Sequence, residues 1–309
     1  MAQLHFGWLA PVIGVAKSHY VPIVMAQEAE ILPVVATYFD SLWVYDHFYG
    51  FAEHSDAWLE GWTTLTWLAA RFPTVQIGPL VLGVGYRNPA LVAKMAATLQ
   101  ALSGGRLVLG LGAGWREEEY RAYGYPFPKA ADRIRQVEEA VQIMRRMWTD
   151  PAPTFKGEYF AIEQASCPPL PTPPPAIMIG GQGEQLMLPL IARQADWWNV
   201  HLWSMEEIAS YVPTYQRKRD LVYRHAEAVG RDPATIVQTL AINGPRLPRS
   251  SDDSARWLDL LRPFITLGVT HVILERRAAS TEPILRFAEE VITPLKKASI
   301  DTLESEPHS

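Results

Sequence analysis

Asp46 and His47 stand side by side where the apolar run Leu42-Trp43-Val44-Tyr45 gives out. An imidazole next to a carboxylate is a small set that can take up and return a proton near neutral pH. Two glycine-rich stretches also follow apolar runs: Gly110-Leu111-Gly112-Ala113-Gly114 and Gly180-Gly181-Gln182-Gly183-Glu184. Without side chains in the way, a backbone can come close to a ligand. The second stretch feeds a helix expected from Gln185, an arrangement whose N–H groups and dipole hold phosphate. It lacks the Lys-Ser/Thr of a triphosphate loop, so it reads as holding a phosphate rather than transferring one. Plainer roles exist for each: a loop histidine, glycines for tight helix–strand packing, an ordinary strand-to-helix turn. Position at a strand end favours the functional reading for Asp46 and His47.

Trp8, His201, Asn243 and Glu275 end other apolar runs and read as structural or pocket-lining groups. Trp8 and His201, with Trp115, are the expected substrate-pocket residues. His54, Asp56 and Glu60 do not make a metal site, since no second ligand set of suitable spacing accompanies them. No Gly-x-Ser-x-Gly elbow occurs.

The elements that must carry these groups alternate. Short apolar strands are expected near 4–10, 41–45, 75–82, 107–111, 176–180, 197–200, 236–242 and 271–275. Amphipathic segments separate them. Ile134, Val137, Val141, Met144 and Trp148 form one face of a helix over 131–148. Asn88-Pro89 announces another, from Ala90 to Leu102, stopped by Ser103-Gly104-Gly105. Eight strand–helix units predict a single (β/α)8 barrel over 1–297, with a polar tail at 298–309. An open doubly wound sheet is the competitor, but Ala10-Pro11-Val12-Ile13-Gly14 lacks its glycine fingerprint. In a barrel, function gathers at the C-terminal strand ends, where the groups above lie. Residues 150–175, with eight prolines, form an excess between strands four and five. They read equally as a lid or a rigid arm.

A net charge of −5 gives no support for a nucleic-acid or membrane-surface partner. The lone cysteine, Cys167, excludes an internal disulfide and fits a reducing compartment. The start has no basic segment of a signal peptide, and a cytoplasmic location is expected. Trp58, Trp62 and Trp67, on a helix expected at 57–70, would give a homodimer face or pack on the barrel.

Taken together, Asn88-Pro89-Ala90-Leu91-Val92-Ala93-Lys94, Leu102 to Arg106, Leu109 to Trp115, Glu119-Tyr120, Gly124, Pro126-Phe127, Arg133 and Trp148 resemble the bacterial luciferase-like flavin and deazaflavin oxidoreductases. Ile179-Gly180-Gly181 and Ala195-Asp196-Trp197-Trp198-Asn199 match as well, so the resemblance covers nearly the whole chain. It implies a barrel with an extra segment after the fourth strand. It implies a flavin-type ring over the mouth, resting on Leu80 and Val81, where relatives often have a non-prolyl cis peptide. The cofactor phosphate would lie at Gly112-Ala113-Gly114 and Gly180 to Glu184. The stretch Ser41 to Phe48 is similar to the deazaflavin (coenzyme F-420) branch, with its Asp-His pair. That implies hydride transfer to or from a small organic substrate, His47 moving the proton and Asp46 orienting it or bonding the ring system. An FMN monooxygenase using reduced flavin, O2 and a separate reductase is the alternative. A non-catalytic flavin-binding barrel and a cofactor-free isomerase or aldolase are further rivals. Trp115 stands where the sugar-phosphate dehydrogenases of that branch carry glutamate, which implies a more apolar substrate pocket. The family commonly dimerises.

Overall fold

A computed structural model describes residues 3–10, 21–50, 56–244, 246–275 and 280–305. Strands β1 (His5–Leu9), β2 (Ser41–Val44), β3 (Gln76–Pro79), β4 (Leu82–Gly83) and β5 (Val108–Gly112) come first. A short hairpin, β6 (Phe155–Lys156) and β7 (Ala161–Ile162), precedes β8 (Ala176–Gly180), β9 (Trp197–Leu202), β10 (Val237–Asn243) and β11 (Val269–Glu275). The large sheet runs β3-β2-β1-β11-β10-β9-β8-β5-β4, and its pairs are parallel. β3 and β4 are two halves of one barrel strand, interrupted at the cis Leu80–Val81 peptide. β3 pairs with β2, while β4 and the Ile77–Leu107 bridge reach β5, so the sheet returns on itself. All eight expected strands occur, and the architecture is the expected (β/α)8 barrel.

Helices α1 (Val21–Tyr38), α2 (Gly61–Arg71), α3 (Pro89–Leu102), α4 (Glu117–Ala122) and α5 (Ala130–Thr149) clothe the first half. The second half carries α6 (Met187–Gln194), α7 (Met205–Ala228), α8 (Ser251–Thr266), α9 (Glu282–Phe287) and α10 (Thr293–Ser305). Asn88 caps α3 by accepting from Ala90 N–H, with Pro89 at the first helical position. α6 begins at Met187 rather than Gln185. α10 runs through the tail boundary expected at 298. No described helix is long and apolar enough to cross a membrane.

Strand parity explains what lies inside. Gly7, Ser41, Trp43 and His271 point into the barrel: Trp43 Nε1 donates to Ser41 Oγ, which bonds His271 Nε2, each at 2.7 Å. A Cβ on Gly7 or Gly78 would stand 2.6 Å or 2.4 Å from the Trp43 ring, so these glycines make room for it. Trp8, one residue on from Gly7, points outward and packs edge-on against Phe39. It is fully buried between sheet and helices and does not line the mouth, contrary to its expected place in the substrate pocket.

Residues 150–175 lie against the outside of α3 and α5. The Glu139 carboxylate accepts the N–H groups of Glu158, Tyr159 and Phe160 at 2.6, 3.0 and 2.9 Å. Gln100 donates to the Pro173 carbonyl at 2.9 Å, and Lys94 to that of Pro168. None of the segment lines the mouth cavity. Of the three tryptophans expected on a helix at 57–70, Trp58 precedes α2, which starts at Gly61, and stacks on Tyr45; Trp62 packs on the core and Trp67 is exposed.

Candidate active site at the barrel mouth

A cavity of about 190 Å³ opens at the C-terminal ends of the strands. Leu80 and Val81, on either side of the cis bond, line it. Val81 is accommodated by missing side chains on the next two strands. A Cβ on Gly110 would come 3.0 Å from Val81 Cγ1, one on Gly112 2.6 Å from Cγ2, and one on Gly180 3.3 Å from Cγ1. Gly112 therefore serves the cavity from beneath without lining it. Gly114, at φ +72°, does line it. A Cβ there would meet Tyr120 Oη at 2.1 Å.

His47 is held from behind. Its Nδ1 lies 2.7 Å from Glu119 Oε2, and that carboxylate is fully buried. Tyr86 Oη also donates to Oε2, at 3.0 Å; Phe48 N–H and Arg116 Nη1 donate to Oε1, each at 3.0 Å. Burial alone would raise the Glu119 pKa. The His47 hydrogen bond, the Phe48 amide and the Arg116 charge outweigh it and hold the carboxyl below its usual range. An ionised carboxylate only accepts, so the proton of a neutral His47 sits on Nδ1 and the Nε2 lone pair is the basic position.

Of the two roles that the resemblance implied for Asp46, orienting His47 falls to Glu119, while Asp46 itself lines the cavity where a ring system would lie. Its two oxygens accept from Arg87 at 2.8 Å each, and Oδ2 also accepts Gly83 N–H at 3.1 Å. Arg87 reaches Glu60 at 2.6 Å as well. Burial works against the Arg87 charge, but the two carboxylates outweigh it and raise its pKa. The Asp46–Arg87 bracket thus ties the end of β2 to the turn between β4 and α3.

Trp115 covers one side, edge-on to His47 with ring centroids 5.7 Å apart and its surface 59 % exposed. His201 lines the cavity, stacked between Tyr45 (centroids 6.2 Å apart) and Trp203 (4.4 Å). Gly180, Gly181 and Gln182 form the rim on the β8 side. Gln182 donates to the His201 carbonyl at 3.0 Å and accepts from Tyr211 and Lys218. Ala113, Gly183 and Glu184 do not line the cavity; Glu184 pairs with Arg217 at 2.7 Å on the surface. No group of three metal-ligating side chains occurs among the described residues, and His54 lies outside them.

Glu119, Arg116, Tyr86, Arg87, Tyr45, Asn199 and Trp203 complete the mouth without having been singled out as site residues. For Glu119 a signal existed. Arg116, Glu119 and Tyr120 recur at helical spacing on the buried face of α4, while Glu117 and Glu118 are exposed. The apolar Leu80–Val81 wall, a glycine rim that brings backbone to the edge, and a histidine backed by carboxylate fit a flat redox cofactor with a phosphate arm.

A parallel barrel with such a mouth defines a class of ligand-binding (β/α)8 enzymes. Residues 37–292 match the profile of the luciferase-like monooxygenases, and the chain belongs to that family, an oxidoreductase family. It is 35 % identical over 151 residues to an F420-dependent glucose-6-phosphate dehydrogenase of Kineococcus radiotolerans, covering 47 % of this chain and 43 % of that enzyme. The match thus spans less than half of that relative's length. Pyrimidine monooxygenase RutA of Escherichia coli is 29 % identical over 255 residues, covering 81 % of this chain and 66 % of RutA. Among solved structures, an F420-dependent secondary alcohol dehydrogenase with an F420-acetone adduct superposes with TM-score 0.76. It is 19 % identical, over 94 % of this chain and 99 % of that one. Monooxygenase RslO1 from Streptomyces bottropensis gives 0.75 at 15 % identity, over 94 % and 100 %. At these identities the likeness speaks for the fold.

Proposed function

We propose that this enzyme transfers a hydride between a deazaflavin (coenzyme F-420) and a small organic substrate, with His47 as the proton-transfer group. The observation that carries the reading is the His47 Nδ1–Glu119 Oε2 contact of 2.7 Å at the cavity wall. A buried anion behind an imidazole fixes its tautomer and orientation, with the proton on the inner nitrogen. The shared identity with F420-dependent dehydrogenases supports the choice of cofactor.

Leu80 and Val81 would carry the ring, and the backbone at Gly114 and Gly180-Gly181-Gln182 the phosphate, with Lys218 beside Gln182. Gly112, Ala113, Gly183 and Glu184, which do not line the cavity, drop out of the expected phosphate cradle. When bound, the deazaflavin accepts or supplies the hydride. The chain's own part is to hold the ring edge against the wall, keep water out with Trp115 and Trp203, and move one proton at His47 Nε2. Trp115 favours an apolar substrate. Trp67 on α2 is the exposed ring left for the expected homodimer; light scattering giving a dimeric mass supports that assembly, and a monomeric mass overturns it.

RutA, matched over the greater length, favours a second reading: FMN-dependent monooxygenation, with reduced flavin supplied by a partner reductase. Parallel fluorescence titrations with coenzyme F-420 and FMN decide between them. Tight binding of the deazaflavin alone is the expected result. Tight binding of FMN alone replaces hydride transfer by monooxygenation, and binding of neither removes both.

A further inference from the structure

Besides Asp46, which Arg87 holds, two carboxylates stand behind the mouth, and their surroundings are opposite. Glu119 receives four donors, among them a guanidinium. Glu275, at the end of β11, receives the Tyr45 hydroxyl on Oε2. His201 Nε2 lies 3.9 Å from the same oxygen, too far for a hydrogen bond, and makes none elsewhere although it is buried. The register neighbours of Glu275, Leu9 on β1 and Asn243 on β10, carry no charge. Tyr45 from β2 and His201 from β9 are thus the titratable groups facing it among the described residues. Arg276 and Arg277 follow in the chain, outside those residues.

Burial raises the Glu275 pKa to about 7, the Tyr45 hydrogen bond opposing it only in part. Burial lowers that of His201 to about 4, so between that value and neutrality this wall of the cavity is mostly uncharged, whereas the Glu119 carboxyl is held below its usual range. Carboxyls whose environments push them apart divide into acid and base.

We propose that Glu275 is a second proton-holding residue of this site, a positioning residue that acts through the Tyr45 hydroxyl. Tyr45 and His201 line the cavity; Glu275 stands behind them with 24 % of its side chain exposed. In the protonated state its O–H bond breaks towards the Tyr45 oxygen as the phenol, turned about its C–O bond, passes its own proton to a lone pair on the ligand. No electrons move, and the carboxylate regains its proton from solvent. His47 and Glu119 handle the substrate proton separately. The role towards a ligand rests on the function proposed above; the proton on Glu275 does not.

The test is infrared difference spectroscopy on the free protein between about pH 6 and about pH 8, a window around neutrality that ordinary carboxyls do not enter. A protonated-carboxyl stretch present at the lower pH, lost at the higher, absent in Glu275→Gln and shifted but retained in Tyr45→Phe is the expected result. A wild-type protein without the band, as an ion pair with Arg276 or Arg277 would give, or a Glu275→Gln protein that keeps it, overturns the proposal. The dissociation constants of coenzyme F-420 and FMN, measured over the same range, test the ligand side. The cofactor that binds should weaken about fivefold towards higher pH in wild type, one neutral hydrogen bond's worth, and not in Glu275→Gln. The same pH dependence in both proteins overturns the coupling. Binding of neither cofactor removes the proposed function and the ligand role together, while the infrared band still reports the Glu275 proton.

Discussion

Replacing Glu119 by Gln keeps the shape of the side chain and removes its charge. Four donors converge on this carboxylate, two on each oxygen. An amide has one accepting oxygen, so either His47 and Tyr86 or Phe48 N–H and Arg116 must face an NH2 group. Arg116 is itself buried, and the other carboxylate it meets among the described residues, Glu118, is exposed. Removing one partner of a buried ion pair destabilises by about 3–5 kcal/mol. Unfolding entropy of about 2.1 cal/mol/K per residue gives about 0.65 kcal/mol/K for the 309 residues. The melting temperature should therefore fall by about 5–8 °C. Because the Glu119 pKa is lowered in the folded state, its contribution is present above the ordinary carboxyl range and fades as pH falls through the folded value. The deficit of Glu119→Gln should accordingly shrink in acid. Scanning calorimetry at neutral and acid pH reads both effects. A fall of less than about 1 °C at neutral pH would show that the carboxylate neither holds Arg116 nor backs His47, and the argument from its burial would be wrong.

Gly112→Ala puts a Cβ 2.6 Å from Val81 Cγ2, against a stiff β-branched side chain. It should destabilise by about 1–3 kcal/mol and weaken cofactor binding, both readable in melts with and without cofactor. At the opposite end of the barrel, Lys296 donates to Asp40 at 2.8 Å. Burial there opposes ionisation, but the nearby His5 ring, 3.7 Å away, and hydrogen bonds from Lys296 and Phe6 N–H bring the Asp40 pKa down to about 2. Its stabilising effect is full above the ordinary carboxyl pKa and lost as pH falls towards about 2. Lys296→Ala should therefore cost about 1 kcal/mol at neutral pH and almost nothing near that limit; an equal deficit at both would contradict the pairing.

The barrel was legible because buried parallel strands are short, apolar and β-branched, and each is followed by a segment of helical period. Asp46, His47 and the glycine runs were legible because they end strands. Trp8 shows where that reasoning stops: ending a strand does not say which way a side chain points, and the outward parity of Trp8 follows from Gly7 facing Trp43 across the lumen. Asp46 shows another limit. Adjacent residues on an extended chain diverge, so the carboxylate that supports His47 comes from α4, distant in sequence. Glu119 does not differ in type from Glu117 and Glu118, and Glu275 stood out only as the end of an apolar run. Only the donors that the fold brings to each separate the two.

The most direct measurement is a crystal structure of the enzyme with coenzyme F-420 bound. The flat ring should lie on Leu80 and Val81, with its reacting face open towards a substrate position within about 3–3.5 Å of His47 Nε2. A ring bound elsewhere, for example in the larger cavity between Trp203, Arg246 and Arg256, with His47 facing no ligand, would contradict the assignment of the mouth as the redox site.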